Sequence, residues 1–155
     1  TSLGQALRRS LVFTLGHSVT LTAVAMGWLG QPGPWIEPFI ALTIGVSAWL
    51  AFRGQLQERS ALVLPAVFGL VHGLGFAAAV ADNLANWSAS DIVLILIGFN
   101  VGVEAAQALV IGTAAAGFWT VQKARLPEAK LRRGLSLAVA LIGFGVFLWR
   151  LLGLE

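Results

Sequence analysis

The chain has no cysteine and no tyrosine, a single methionine and only two histidines, and charged residues occupy just 11% of its 155 positions. The missing cysteine excludes disulfides, thiolate metal ligands and a cysteine nucleophile, so any metal site must be built from nitrogen and oxygen donors. The scarcity of charge excludes an ordinary soluble surface, because a globular chain in water carries about a quarter charged residues. No Walker sequence is present, so the chain does not bind ATP through a phosphate-cradling loop of that kind. Low-complexity segments and convincing internal repeats are absent as well.

What fills the chain is hydrocarbon: 57% of the residues are hydrophobic. Five apolar runs are read as helices, over residues 10–29, 35–52, 61–81, 92–119 and 135–152. Each is long enough to cross roughly 30 Å of hydrocarbon at about 1.5 Å per residue. The expected fold is therefore all-α, a polytopic transmembrane bundle of about five spans in one domain covering 1–155. Its partner is the lipid bilayer, and its core is interhelical contact. Gln31-Pro32-Gly33-Pro34 breaks the chain between the first two runs.

The net charge of +3 does not point to nucleic acid. Arg8 and Arg9 precede the first run, Arg53 and Arg59 follow the second, and Lys123, Arg125, Lys130, Arg132 and Arg133 follow the fourth. The other two connections contain no lysine or arginine. An N-terminus on the cytoplasmic side then places every basic residue except Arg150 inside, as loop charges that resist translocation require. Splitting the long fourth run would move the five-cation loop outside, so it is kept as one helix. The tryptophans fit headgroup levels: Trp28, Trp35, Trp87 and Trp149 at outer ends, Trp49 and Trp119 at inner ends. Gly69 with Gly73, and Gly98 with Gly102, are small-xxx-small pairs suited to close helix packing. This patterning implies a multi-pass membrane protein with its N-terminus on the cytoplasmic side.

Polar residues inside the spans carry the functional argument. His17 lies in the first run and His72 in the third, while Asn100, Glu104 and Gln107 share one face of the fourth through i, i+4, i+7 spacing. A glutamate there costs a few kcal/mol facing lipid, so that face turns into the bundle. Counting from the cytoplasmic edge puts His17 at about 10 Å, His72 at about 16 Å, Asn100 at about 17 Å and Glu104 at about 11 Å depth. These four are the expected metal ligands. Two imidazoles, a carboxylate and an amide oxygen suit nickel, cobalt or zinc, held as substrate and not as a resident cofactor. Gln107, Ser18 and Thr14 are assigned to the ion path. Glu37, with Asp82 and Asp91, makes the outer face acidic and would concentrate cations at an entrance. An intramembrane metal-dependent hydrolase with Glu104 as general base is the main alternative to a permease. A subunit whose polar groups only join helices is the third.

Three stretches resemble the HupE/UreJ family of bacterial membrane proteins: Phe13-Thr14-Leu15-Gly16-His17-Ser18-Val19-Thr20-Leu21, Phe68-Gly69-Leu70-Val71-His72-Gly73-Leu74-Gly75-Phe76-Ala77, and Phe99-Asn100-Val101-Gly102-Val103-Glu104-Ala105-Ala106-Gln107. A fourth, Ile36-Glu37-Pro38-Phe39-Ile40-Ala41-Leu42-Thr43, is similar to the family's glutamate-containing pattern with Thr43 in place of serine. The resemblance implies a nickel or cobalt permease associated with hydrogenase or urease proteins, with His17, Glu37, His72, Asn100, Glu104 and Gln107 as its polar positions. Family members carry a further span upstream with a histidine-and-aspartate motif. Because the sequence starts at Thr1 without a signal-peptide layout, it is expected to be a piece of a longer protein or a reduced homologue.

Overall fold

The computed structural model describes residues 2–55, 60–84 and 87–153, with only the backbone described for 60, 78–84 and 89. The described residues form five helices: α1 (Leu3–Ala25), α2 (Ile36–Arg53), α3 (Ser60–Leu84), α4 (Ala89–Lys123) and α5 (Glu128–Leu151). The fourth apolar run is one continuous helix of 35 residues, as the charge distribution requires. Among the described residues, α2, α5 and the Ser90–Lys123 part of α4 are long and apolar enough to cross a membrane, and Ala61–Ala77 of α3 is a shorter apolar stretch.

The helix ends follow local chemistry. α1 starts seven residues before the expected 10 because Ser2 and Gln5 form a capping box, the Ser2 amide donating to Gln5 Oε1 at 3.0 Å and the Gln5 amide to Ser2 Oγ at 3.3 Å. It stops at Ala25, short of the expected 29, as the chain turns through Gly27 at φ 73°. Pro38 occupies the first turn of α2, where its missing N–H would have no intrahelical acceptor. Gly54, at φ 66°, closes that helix in the left-handed conformation. Asp91 sits in the first turn of α4, where the Ser88 hydroxyl holds its carboxylate at 2.5 Å and a negative charge offsets the helix dipole.

Relative helix directions follow from which residues meet. Ser10 pairs with Gln107, Thr14 with Glu104 and Ser18 with Asn100, so α1 and α4 are antiparallel. Thr43 pairs with His72, and Ile40 packs at Gly75, so α2 and α3 are antiparallel too. Gly69 lies on Phe13 and Gly73 on His17, so α1 and α3 run together. Each helix thus reverses its predecessor wherever a pair can be read, as short connections between successive helices demand.

Two packed pairs form the bundle, α1 with α3 and α2 with α5, joined where α3 meets α2, with α4 leaning on α1. The α1–α3 contact is close because Gly69 and Gly73 have no side chain: a Cβ on either would collide with the carbonyl oxygens of Phe13 and His17. Thr20 adds a cross-helix bond to the Leu70 carbonyl at 2.8 Å. Gly45 and Gly143 give α2 and α5 an equally close approach. Gly98 and Gly102 behave differently from the sequence expectation, since among the described residues no neighbouring helix lies within 4 Å of a Cβ added at either. The faces of α4 that carry Leu94, Ile97, Val101, Leu109 and Val110 are exposed, as hydrocarbon-facing surface would be. At the other edge Arg150 forms an ion pair with Glu37 at 3.0 Å, which accounts for the one basic residue that the charge pattern leaves outside.

Candidate functional site: a polar seam beside two imidazoles

One face of α1 presents Ser10, Thr14 and Ser18 at successive i+4 steps, and the facing side of α4 presents Gln107, Glu104 and Asn100. The two rows interlock along their length. Ser10 Oγ donates to Gln107 Oε1 at 2.5 Å. Thr14 Oγ1 stands 2.8 Å from Glu104 Oε2, 3.0 Å from Gln107 Oε1 and 3.2 Å from the Ser10 carbonyl oxygen. Ser18 Oγ lies 2.6 Å from both Asn100 Oδ1 and the Thr14 carbonyl oxygen. The Asn100 amide group turns back to the Leu96 carbonyl at 2.8 Å, which leaves its oxygen facing α1.

Counting protons exposes the chemistry of this seam. Each hydroxyl has one proton to give. Thr14 therefore cannot serve its three acceptors at once, and Ser18 cannot serve both of its two. The three protons still match the three α4 side chains one to one, Ser10 to Gln107, Thr14 to Glu104 and Ser18 to Asn100, so what the seam lacks among the described residues is a cation to offset a carboxylate. A carboxylate without a counter-ion in a medium of low polarity favours an added positive charge.

The histidines lie next to this seam but not in it. His17 is 6% exposed, and neither ring nitrogen has a hydrogen-bond partner among the described residues. Its ring packs among Phe13, Phe76 and Phe99 at centroid distances of 6.3, 6.1 and 5.8 Å. A neutral imidazole always has a donor and an acceptor, and leaving such groups buried without partners costs about 1–3 kcal/mol each. His72 faces α2, where its Nε2 is 3.0 Å from Thr43 Oγ1. The Phe13 ring also meets His72, edge-on at 5.1 Å, so this one phenylalanine touches both imidazoles.

The residues expected at one depth are thus distributed over three neighbouring settings: the Glu104, Asn100 and Gln107 seam with Thr14 and Ser18, the His17 cage, and the His72–Thr43 pair. Among the described residues no group of three or more His, Asp or Glu is arranged to hold a metal ion. The reason is azimuth. Residue counting along a helix gives height, but Gly69 and Gly73 are the positions that lie against α1, and their neighbour His72 is thereby turned toward α2. Glu37 stands apart from the seam, paired with Arg150, and the Asp82 side chain lies outside the described residues. Three participants escaped the sequence reading as site residues: Ser10, Thr43 as the His72 partner, and the aromatic set Phe13, Phe76 and Phe99. The i, i+4, i+8 hydroxyl spacing of Ser10, Thr14 and Ser18 was the available signal for the first.

A helical membrane bundle with a carboxylate-centred polar seam is the class these features define. A model of the HupE / UreJ protein family matches residues 5–151, nearly the whole chain, and the chain belongs to that family. Comparison with curated proteins and with solved structures finds no match.

Proposed function

We propose that the protein is a multi-pass permease of the bacterial cytoplasmic membrane that moves a divalent transition metal, nickel or cobalt, through the interior bounded by α1, α3 and α4. The observation that carries this reading is the Glu104 side chain, set inside the bundle among side-chain oxygens of α1 and α4 with no cation paired to it among the described residues. A network that only joins helices has no need of an ionisable group without a counter-ion, whereas a cation path does. Family membership supports the same substrate class.

In this mechanism the ion exchanges hydration water for the oxygens of Glu104, Asn100, Gln107 and the α1 hydroxyls. It then meets the unpartnered nitrogens of His17, and next His72. Imidazole is the better donor for nickel and cobalt, and carboxylate supplies the compensating charge. Dividing the donors among adjacent settings suits transport, because an ion held by a few ligands at a time is released more readily than one in a complete shell. Phe13, touching both imidazoles, stands at the step between them. Five spans with the N-terminus inside would put the 124–127 connection and the basic start of α5 in the cytoplasm.

The test is flux in reconstituted liposomes loaded with a metal-sensitive dye. The permease reading expects saturable entry of nickel or cobalt above protein-free liposomes. Stoichiometric metal that survives dialysis, without flux, would support the hydrolase instead.

A further inference from the structure

A cavity of ≈ 470 Å³ lies between α1, α2, α3 and α5 and is separate from the polar seam. Its walls include Phe13, Ile44, Ala48, Leu64, Phe68 and Val139, and its surface is almost wholly apolar. His72 and Thr43 close one end, where His72 Nε2 lies 3.0 Å from Thr43 Oγ1, whose hydroxyl donates to the Ile40 carbonyl at 2.7 Å. Ala61 and Arg9 also line it. Along α3, Ala61 and His72 are separated by about 16 Å at the helical rise, so the cavity is an elongated slot.

Arg9 is the feature that ordinary packing does not explain. It is half-buried, and among the described residues it has no ion pair or hydrogen bond. An arginine brings a fixed positive charge on a planar guanidinium that pairs well with a phosphate. A water-filled ion passage would need polar walls, which this slot lacks. An apolar slot with a single unpaired cation has the complementary shape and charge of an amphiphile: a hydrocarbon tail with an anionic head. A neighbouring cavity of ≈ 590 Å³ shares Ala48 and Val139 with the first and carries Arg132 and Arg133, so the cationic lining extends to a second furrow of the bundle. Basic pockets between membrane helices recognise anionic lipid headgroups in this way.

We infer that the slot holds one acyl chain of an anionic phospholipid whose phosphate is paired with Arg9. The lipid would fill the space beneath His72 and join the α1–α3 pair to the α2–α5 pair, which meet directly over only a limited surface. This assignment is independent of which ion the seam carries.

The experiment is lipid analysis by native mass spectrometry after the protein is exchanged through detergent containing equal phosphatidylglycerol and phosphatidylethanolamine. Wild type should retain about one phosphatidylglycerol per chain in preference to the zwitterionic lipid. Arg9→Gln should lower that retention by about tenfold, a change within the range of a lost charge-assisted contact. Arg9→Lys should largely restore it, and Arg8→Gln, at an exposed neighbouring position, should leave it unchanged. Ala61→Phe, which occupies the slot and keeps the charge, should expel the lipid. Equal retention of the two lipids by wild type would overturn the inference even if Arg9→Gln did not fold. So would unchanged retention in a folded Arg9→Gln, or a lipid-free dimer in which a second copy covers the slot.

Discussion

The Thr14 hydroxyl lies 2.8 Å from Glu104 Oε2 and 3.0 Å from Gln107 Oε1, so a single proton faces two side-chain acceptors on α4. Thr14→Val keeps the side-chain shape and removes that oxygen. An interhelical hydrogen bond in a membrane is worth about 0.6 kcal/mol, so the variant should fold with nearly wild-type thermal stability in detergent. Metal uptake should fall severalfold, about 1 kcal/mol, because one oxygen donor of the path is gone. Thr14→Ser should transport normally. Equal uptake by Thr14→Val and wild type would remove this hydroxyl from the path.

Gly73 gives a prediction of opposite kind, large in stability and indirect in function. A Cβ there would meet the His17 carbonyl and the Thr20 hydroxyl, and the carbonyl belongs to backbone that cannot move aside cheaply. Gly73→Ala should destabilise the fold by about 1–3 kcal/mol, the usual cost of overpacking. Gly98→Ala, in open surroundings, should not. Thermal unfolding in one detergent, followed by size-exclusion chromatography, compares the two.

The absence of cysteine makes topology directly measurable. A cysteine at Ala129, in the first turn of α5, should react with an impermeant thiol reagent only from the cytoplasmic side, because five nearby basic residues resist translocation. A cysteine at Gly30, between α1 and α2, should react only from the outside. Periplasmic labelling at Ala129 would reject the five-span arrangement.

Much of the fold was legible because lipid imposes simple rules. Apolar length gave five helices, and loop charge argued correctly against dividing α4. The Gly69 and Gly73 pair was also readable as a contact, since small residues four apart share a face. The twin pair at Gly98 and Gly102 has the same spacing but faces away from the rest of the chain, and spacing alone does not say which face is covered. The site shows the same division. The Asn100, Glu104 and Gln107 face was read correctly, since periodicity reports which residues line up on one helix. That His17 and His72 occupy different settings depends on the rotation of α3 against α1, and no single-helix pattern contains that angle.

Protons should compete with the metal, because an imidazole ligand must be neutral and a carboxylate ligand ionised. Both requirements act in the same direction, so acid should weaken binding and raising the pH should restore it. Isothermal titration with nickel at pH 7.5 and pH 5.5 should show lower affinity at the acidic end. Affinity independent of pH over this range would argue against histidine ligation.

The central claim is that the seam carries a cation and does more than join helices, and Glu104→Gln separates the two. Glutamine retains the size of the side chain and an oxygen that can accept from Thr14, so a purely structural network should survive the change. The negative charge that would offset an entering metal is lost. Nickel or cobalt flux into dye-loaded liposomes should be measured for wild type and for Glu104→Gln protein that is monodisperse at equal reconstitution density. We expect flux reduced tenfold or more, about 1.4 kcal/mol. Flux equal to wild type in a folded Glu104→Gln protein would contradict the account.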